Sequence, residues 1–179
     1  MNLANKLTFV RVFMIPLFLI FLLTNWFPAP IGKYGALLIF ILAALTDFLD
    51  GYIARSRNLV TNLGKFMDPL ADKLLVTSAM IGLVQLERLS AWVVIIIISR
   101  EFAVTGFRIL AASNNIVIAA SKWGKIKTVS QMIMVILLLL NSSRLIFQWL
   151  EVVFIWASVI FTIVSGVDYI IKNKQVLVE

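Results

Sequence analysis

The sequence predicts an all-α integral membrane fold with six transmembrane helices. Of its 179 residues, 61% are hydrophobic, and the mean hydropathy of +1.01 lies far above that of soluble globular proteins. Six apolar segments each approach the roughly 20 residues that a membrane-spanning helix needs. The length suits one domain, which we expect to cover residues 1–179.

The apolar segments follow one another with short connections, at 7–27, 34–54, 67–86, 91–112, 128–147 and 151–171. Pro28 and Pro30 are expected to end the first segment. This segment carries Arg11 and lacks a small-residue cleavage pattern, so it does not resemble a cleaved signal peptide. The Asp68-Pro69 pair predicts the start of the third helix, because proline suits the first helical position.

The distribution of lysine and arginine predicts the orientation, since cytoplasmic loops are enriched in both. With the N-terminus inside, the cytoplasmic side holds nine such residues: Lys6, Arg55, Arg57, Lys65, Lys122, Lys125, Lys127, Lys172 and Lys174. The outer side then holds only Lys33, Arg88 and Arg144. An even number of helices returns the C-terminus to the cytoplasm. We expect a multi-pass protein of the plasma membrane with both termini cytoplasmic.

Four of the five aspartates lie between residues 47 and 72, at the ends of the second and third apolar segments. Asp47 and Asp50 are spaced i, i+3, and Asp68 and Asp72 are spaced i, i+4, so each pair shares one helix face. Ionisable groups at membrane depth are functional candidates by default. Helix capping is the alternative, but it accounts for Asp68 and not for the whole set.

These carboxylates predict a site for hard divalent cations near the cytoplasmic face. The chain has no cysteine and no histidine, so thiolate and imidazole ligands are excluded. Two facing helices could hold two Mg²⁺ or Mn²⁺ ions bridged by carboxylates, as in two-metal phosphoryl-transfer sites. Four carboxylates and two such ions are electrically neutral together. A general base must then be a carboxylate, or else lysine or tyrosine.

The same window resembles the signature of the CDP-alcohol phosphatidyltransferases. The pattern D-x2-D-G-x2-A-R-x8-G-x3-D-x3-D is matched at every fixed position: Asp47, Asp50, Gly51, Ala54, Arg55, Gly64, Asp68 and Asp72. The resemblance implies that the four aspartates bind two metal ions and that Asp72 is the general base. It also implies that Asp47, Gly51, Ala54 and Arg55 contact the CDP group, and that the protein is a homodimer.

The N-terminal residues 5–11 resemble the entry segment of that family. Asn5 and Thr8 are implied to lie near the nucleotide, although Ala4 stands where the family often has proline. The alternative is that Asn5 and Arg11 belong to an ordinary cytoplasmic anchor.

A basic cluster predicts a site for an anion, in addition to the metal site. Its members are Arg100, Arg108, Lys122, Lys125 and Lys127. Arg100 and Glu101 fall near the middle of the fourth segment, so they should face a polar cavity and not lipid. Because metal ions can neutralise the aspartates, these cations are available for the phosphate of an acceptor. The alternative is that the lysines are membrane-surface anchors and that Arg100 and Glu101 pair with other helices.

Segments 99–108 and 119–128 resemble the bacterial phosphatidylglycerophosphate synthases within the family. The resemblance implies an enzyme that transfers a phosphatidyl group from CDP-diacylglycerol to glycerol-3-phosphate in phospholipid biosynthesis. An inositol phosphate acceptor, a magnesium-dependent intramembrane prenyltransferase and a small cation channel remain alternatives. Membrane lipids are expected partners, and no nucleic-acid partner is expected. Asp168, near the end of the sixth segment, is expected to pair with a lysine.

Overall fold

The computed structural model describes residues 3–56, 62–113 and 121–173, without the side chains of 3–7, 47–56, 62–69, 72, 112 and 113. These residues form six α-helices and no strand: α1 (Leu3–Leu23), α2 (Ala29–Ser56), α3 (Asn62–Gln85), α4 (Ala91–Ser113), α5 (Lys122–Leu140) and α6 (Leu145–Lys172). The all-α prediction is confirmed for the described part of the chain.

The first helix ends at Leu23, earlier than the prolines suggest. Thr24 closes it, because both its backbone N–H and its hydroxyl donate hydrogen bonds to the Ile20 carbonyl, at 3.2 and 2.7 Å. Pro30 lies instead in the first turn of α2, where its missing N–H costs no intrahelical hydrogen bond. The prolines therefore mark the start of the second helix.

The prediction that α3 begins at Asp68-Pro69 is wrong. The helix begins at Asn62, so both residues lie inside it. A preference for proline at a first turn is a local signal, and the packing of a whole segment routinely overrides such signals.

The fifth helix begins at Lys122, six residues before the predicted position 128, and it ends at Leu140. Ser121 caps it, because the Ser121 hydroxyl accepts a hydrogen bond of 3.1 Å from the Gly124 N–H. Asn141 follows the helix with a φ of 41°, a left-handed conformation that asparagine tolerates. The lysines of the basic cluster therefore lie in the first turns of a helix and not in a loop.

The chain divides into two compact units. Unit 1 comprises residues 1–88 and 138–141 and contains α1, α2 and α3, with α1 packed against the other two. Its core includes Phe18 and Phe40, whose rings lie 5.9 Å apart. Small buried residues at Ala36, Ala43 and Ala79 let the helix backbones approach closely. This packing holds together the three helices that carry the signature and the N-terminal segment.

Unit 2 comprises residues 89–137 and 142–179, with α4, most of α5, and α6. Helix α4 packs against α6. Its interior includes polar groups: the Gln131 side-chain amide donates to the Thr162 hydroxyl at 3.3 Å, and that hydroxyl donates to the Ser158 carbonyl at 2.6 Å. Hydrogen bonds between polar side chains are a common means of helix association in membranes. The expectation of a single domain over residues 1–179 stays a prediction.

Among the residues that the structure describes, three helical segments are long and apolar enough to cross a membrane: Ala29–Thr46, Lys122–Leu140 and Leu145–Lys172. Thr8–Leu23 and Lys73–Gln85 are shorter apolar stretches. Helix α4 carries three charged residues, Arg100, Glu101 and Arg108, which interrupt its apolar character. Along α6 many large apolar side chains lie on the surface, among them Val153, Trp156, Ile160, Ile163 and Val167. Such a surface suits contact with lipid.

Candidate active site

The aspartates of the signature lie on two helices of unit 1 that pack against each other, Asp47 and Asp50 on α2 and Asp68 and Asp72 on α3. The number of residues from Asp50 to the end of α2 equals the number from the start of α3 to Asp68. Two helices joined by a short connection commonly form an antiparallel pair. The backbone register therefore allows the two aspartate pairs to lie at the same depth.

The four aspartate side chains lie outside the described residues, as do those of Asn5, Ala54 and Arg55 and the immediate surroundings of Gly51 and Gly64. Their roles stay predictions. The donor set itself fits a divalent ion, since it supplies hard carboxylate oxygens on adjacent helices.

Thr8 and Arg11 lie one turn apart on α1 and are both buried, with 2% and 0% of their surfaces exposed. Each interacts with neighbouring groups. An arginine that anchors a helix at the membrane surface would be exposed to the interface. The burial of Arg11 therefore does not fit the anchor interpretation. It places Arg11 with Thr8 on the packed face of α1.

Unit 2 contains a cavity of about 220 Å³ at the basic cluster. Its lining residues come from α4, α5 and α6 and from the α5 cap: Arg100, Val104, Arg108, Ser121, Gly124, Lys125, Thr128 and Tyr169. Three of the five predicted acceptor-binding cations thus lie around one cavity. It is smaller than the roughly 300–1,000 Å³ of sites for drug-sized ligands, which suits a small anion. We call it the anion cavity.

The other two predicted cations do not line the anion cavity. Lys122 is exposed at the first residue of α5. Lys127 is buried and forms an ion pair with Glu101, while the Arg100 Nη1 atom lies 3.5 Å from the same Glu101 oxygen. For Glu101, the alternative of pairing with another helix is therefore confirmed.

Tyr169 lines the anion cavity and was not predicted from the sequence. It lies on α6 with 4% of its surface exposed, and its ring meets that of Phe107 edge-on with centroids 5.8 Å apart. Within the described part of the chain, its buried hydroxyl has no hydrogen-bond partner, and neither has the buried Nε of Arg100. The one available signal was a polar aromatic residue inside an apolar segment.

A second, apolar cavity of about 390 Å³ lies between α4 and α6. It shares Arg100, Val104 and Tyr169 with the anion cavity. Asp168 lines neither cavity and pairs with Lys172 at 2.7 Å, one turn along the helix. The expected lysine partner of Asp168 is confirmed.

Comparison with known proteins identifies the family. The family model for CDP-alcohol phosphatidyltransferase matches residues 1–164. A CDP-diacylglycerol–glycerol-3-phosphate 3-phosphatidyltransferase of Bacillus subtilis (strain 168) is 47% identical, over 98% of this chain and 97% of the relative. A protein of the same name from Rickettsia typhi is 39% identical, over 94% of both chains.

A probable phosphatidylglycerophosphate synthase of Mycobacterium tuberculosis (strain H37Rv) is 40% identical, over 94% of this chain and 80% of the relative. The family model covers most of the sequence, and these relatives are similar over nearly its whole length. The chain belongs to the CDP-alcohol phosphatidyltransferase family.

Proposed function

We propose that this chain transfers the phosphatidyl group from CDP-diacylglycerol to sn-glycerol-3-phosphate, giving phosphatidylglycerophosphate and CMP. The relatives named for this reaction match nearly the whole sequence. The structural observation that carries the choice of acceptor is the anion cavity, where Arg100, Arg108 and Lys125 converge. An acceptor without a phosphate would not call for three cations around one small cavity.

In the proposed reaction, Asp72 and Arg55 take part in the chemical steps, and a second group of residues holds the CDP group. Asp72 removes the proton from the primary hydroxyl of glycerol-3-phosphate, and the resulting oxygen attacks the phosphorus that carries the diacylglycerol group. The bond from that phosphorus to the CMP oxygen breaks, and CMP leaves. Arg55 balances the charge of the departing nucleotide. Asn5, Thr8, Asp47, Gly51 and Ala54 hold the CDP group.

The family generally uses divalent metal ions. Asp47, Asp50, Asp68 and Asp72 would hold two ions, Mg²⁺ or Mn²⁺, at their carboxylate oxygens. Bound there, the ions would supply positive charge that stabilises the phosphoryl transition state. The protein's contribution is then positioning and charge stabilisation.

The acceptor phosphate would bind in the anion cavity. Arginine provides paired donors for phosphate oxygens, and lysine adds a compact positive charge. The cavity that Arg100, Arg108 and Lys125 share supports this role for them. For Lys122 and Lys127 the acceptor role rests on the sequence prediction alone, since neither lines the cavity.

We further propose six membrane crossings in the plasma membrane, with the active site near the cytoplasmic face, both termini in the cytoplasm, and a homodimer as the working form. Three apolar spans and the family support a membrane location. The charged residues of α4 fit a crossing that faces polar protein and not lipid.

The proposed function is tested by CMP release from purified protein in detergent with CDP-diacylglycerol and Mg²⁺. The acceptors are glycerol-3-phosphate, inositol phosphate, inositol and serine, each in a separate reaction. We expect CMP release with glycerol-3-phosphate well above that with the other three. Preference for inositol phosphate would support the same transfer reaction with a different acceptor. Release of pyrophosphate from a prenyl substrate would replace the proposal with a prenyltransferase.

A further inference from the structure

Helix α6 contributes Tyr169 to the lining of the anion cavity, and Gly166, one turn earlier, lines the adjacent apolar cavity. A Cβ atom placed on Gly166 would lie 3.2 Å from Cγ and 3.9 Å from Nε of Arg100. The stem of the Arg100 side chain therefore runs close against the α6 backbone at Gly166. Tyr169 lies one turn further along the same face.

The position of the Tyr169 ring is fixed by its neighbours. It is almost fully buried, and its edge-on contact with Phe107 restricts rotation of the ring. Tyr169 lines the anion cavity, and its buried hydroxyl is thereby held in a defined position. Within the described residues it has no hydrogen-bond partner. A buried polar group without a partner is costly, so native proteins rarely leave one unless a ligand or ordered water completes it.

The surroundings of the hydroxyl favour an anion over water. Arg100, Arg108 and Lys125 also line this cavity, and the buried Nε of Arg100 again has no hydrogen-bond partner among the described residues. Arginine and lysine only donate hydrogen bonds, and a tyrosine hydroxyl can donate one. A wall rich in donors and positive charge requires an occupant with several negatively charged acceptor oxygens. A phosphate group meets this requirement.

We propose that the Tyr169 hydroxyl donates a hydrogen bond to the phosphate of the acceptor and that Tyr169 is thus a further substrate-binding residue. This inference rests on the proposed function, because it takes glycerol-3-phosphate as the occupant of the anion cavity. Tyr169 holds the phosphate and does not touch the hydroxyl that reacts. Its loss should therefore weaken acceptor binding and leave the chemical step unchanged.

The variant Tyr169→Phe tests this role, because it keeps the ring and its contact with Phe107 and removes only the hydroxyl. We expect the KM for glycerol-3-phosphate to rise on the order of tenfold. The KM for CDP-diacylglycerol and the kcat at saturating acceptor should change less than twofold. The inhibition constant of inorganic phosphate, measured as a competitor of glycerol-3-phosphate, should rise by a similar factor. Tyr34→Phe is the matched control, since Tyr34 lies exposed on α2 in unit 1.

Thermal unfolding separates a binding role from a structural one. If the hydroxyl has no partner in the free protein, Tyr169→Phe should unfold at the same temperature as the wild type, or a higher one, without acceptor. The stabilisation that added glycerol-3-phosphate produces should be smaller in the variant. A lower unfolding temperature without acceptor would reveal a structural partner and overturn the proposal.

The failure of this inference and the failure of the proposed function give different results. A wild-type protein that does not transfer to glycerol-3-phosphate would contradict the proposed function. A wild type that does so, together with a Tyr169→Phe variant whose acceptor KM and phosphate inhibition are unchanged, would contradict only the role of Tyr169. In that case water would satisfy the hydroxyl.

Discussion

Lys127 of α5 and Glu101 of α4 form an ion pair inside unit 2. Lys127 keeps 4% of its surface exposed, and the same carboxylate oxygen lies 3.5 Å from Arg100 Nη1. One carboxylate therefore joins two cations of the basic cluster, one that lines the anion cavity and one that does not. This links the packing of α5 to the position of Arg100.

The ion pair predicts an asymmetric effect of substitution on stability. Glu101→Gln should lower the free energy of unfolding by roughly 3 kcal/mol, because it leaves the Lys127 ammonium group buried without its carboxylate. The double variant Glu101→Gln with Lys127→Met should recover much of that loss, since no charge of the pair remains. Thermal unfolding in detergent of both single variants and the double variant measures the coupling. Additive losses would show that the pair contributes nothing.

Arg108→Gln tests the anion cavity as the acceptor site. Loss of one charge-assisted phosphate contact costs about 1.5–3 kcal/mol, so the KM for glycerol-3-phosphate should rise roughly 10- to 150-fold. The KM for CDP-diacylglycerol should move much less. Arg144→Gln is the control, because Arg144 lies on the surface and lines neither the anion cavity nor the apolar one. An Arg108→Gln enzyme with an unchanged acceptor KM would reopen neutral alcohols as acceptors.

Gly166→Ala tests whether the close approach of α6 sets the position of Arg100. The added methyl group would lie 3.2 Å from Arg100 Cγ, so the side chain must move by a few tenths of an ångström. We expect a several-fold rise in acceptor KM, smaller than that of Arg108→Gln. Gly106→Ala on α4 is the matched control, since nothing lies within 4 Å of a Cβ at that position. Equal KM values for glycerol-3-phosphate in the two variants would show that Gly166 does not set the position of Arg100.

The proposed metal site predicts dependence on a hard divalent cation. Chelation by EDTA should abolish CMP release, and excess Mg²⁺ or Mn²⁺ should restore it. Full turnover in the presence of excess chelator would contradict the two-metal proposal.

The aspartate set makes a separate prediction about turnover. Asp47→Asn, Asp50→Asn, Asp68→Asn and Asp72→Asn should each remove most activity. Each variant should still insert in the membrane, because neutralising a carboxylate at membrane depth does not oppose insertion. Normal turnover in any two of them would mark those positions as structural. The yield of membrane-extracted protein serves as the control for insertion.

The existence of all six described helices followed from the sequence, since long apolar segments are a strong signal. Some helix ends did not, because short-range contacts set them. The Ser121 hydroxyl caps α5 ahead of three lysines that composition alone assigned to a connection. The cations of the anion cavity were predicted as a group, but the sequence could not separate Lys125, which lines it, from Lys127, which pairs with Glu101.

Tyr169 was missed because its place depends on how α6 packs against α4. Gly166 allows the close approach to Arg100, and Phe107 orients the tyrosine ring. Both contacts join residues that are far apart in the sequence, and no local pattern in the α6 sequence indicates them. The aspartate signature, in contrast, is a local pattern with fixed spacing, and the match of the family model to residues 1–164 confirms the family that it indicated.

The central claim is that this chain joins glycerol-3-phosphate to a phosphatidyl group taken from CDP-diacylglycerol. The most direct measurement uses purified wild-type protein with CDP-diacylglycerol, Mg²⁺ and glycerol-3-phosphate labelled in its glycerol carbons. We predict that the label enters a lipid extractable into organic solvent, in amounts equal to the CMP released, and that this lipid carries a terminal phosphate. CMP release without label in the lipid fraction, or no release at all, would contradict the account.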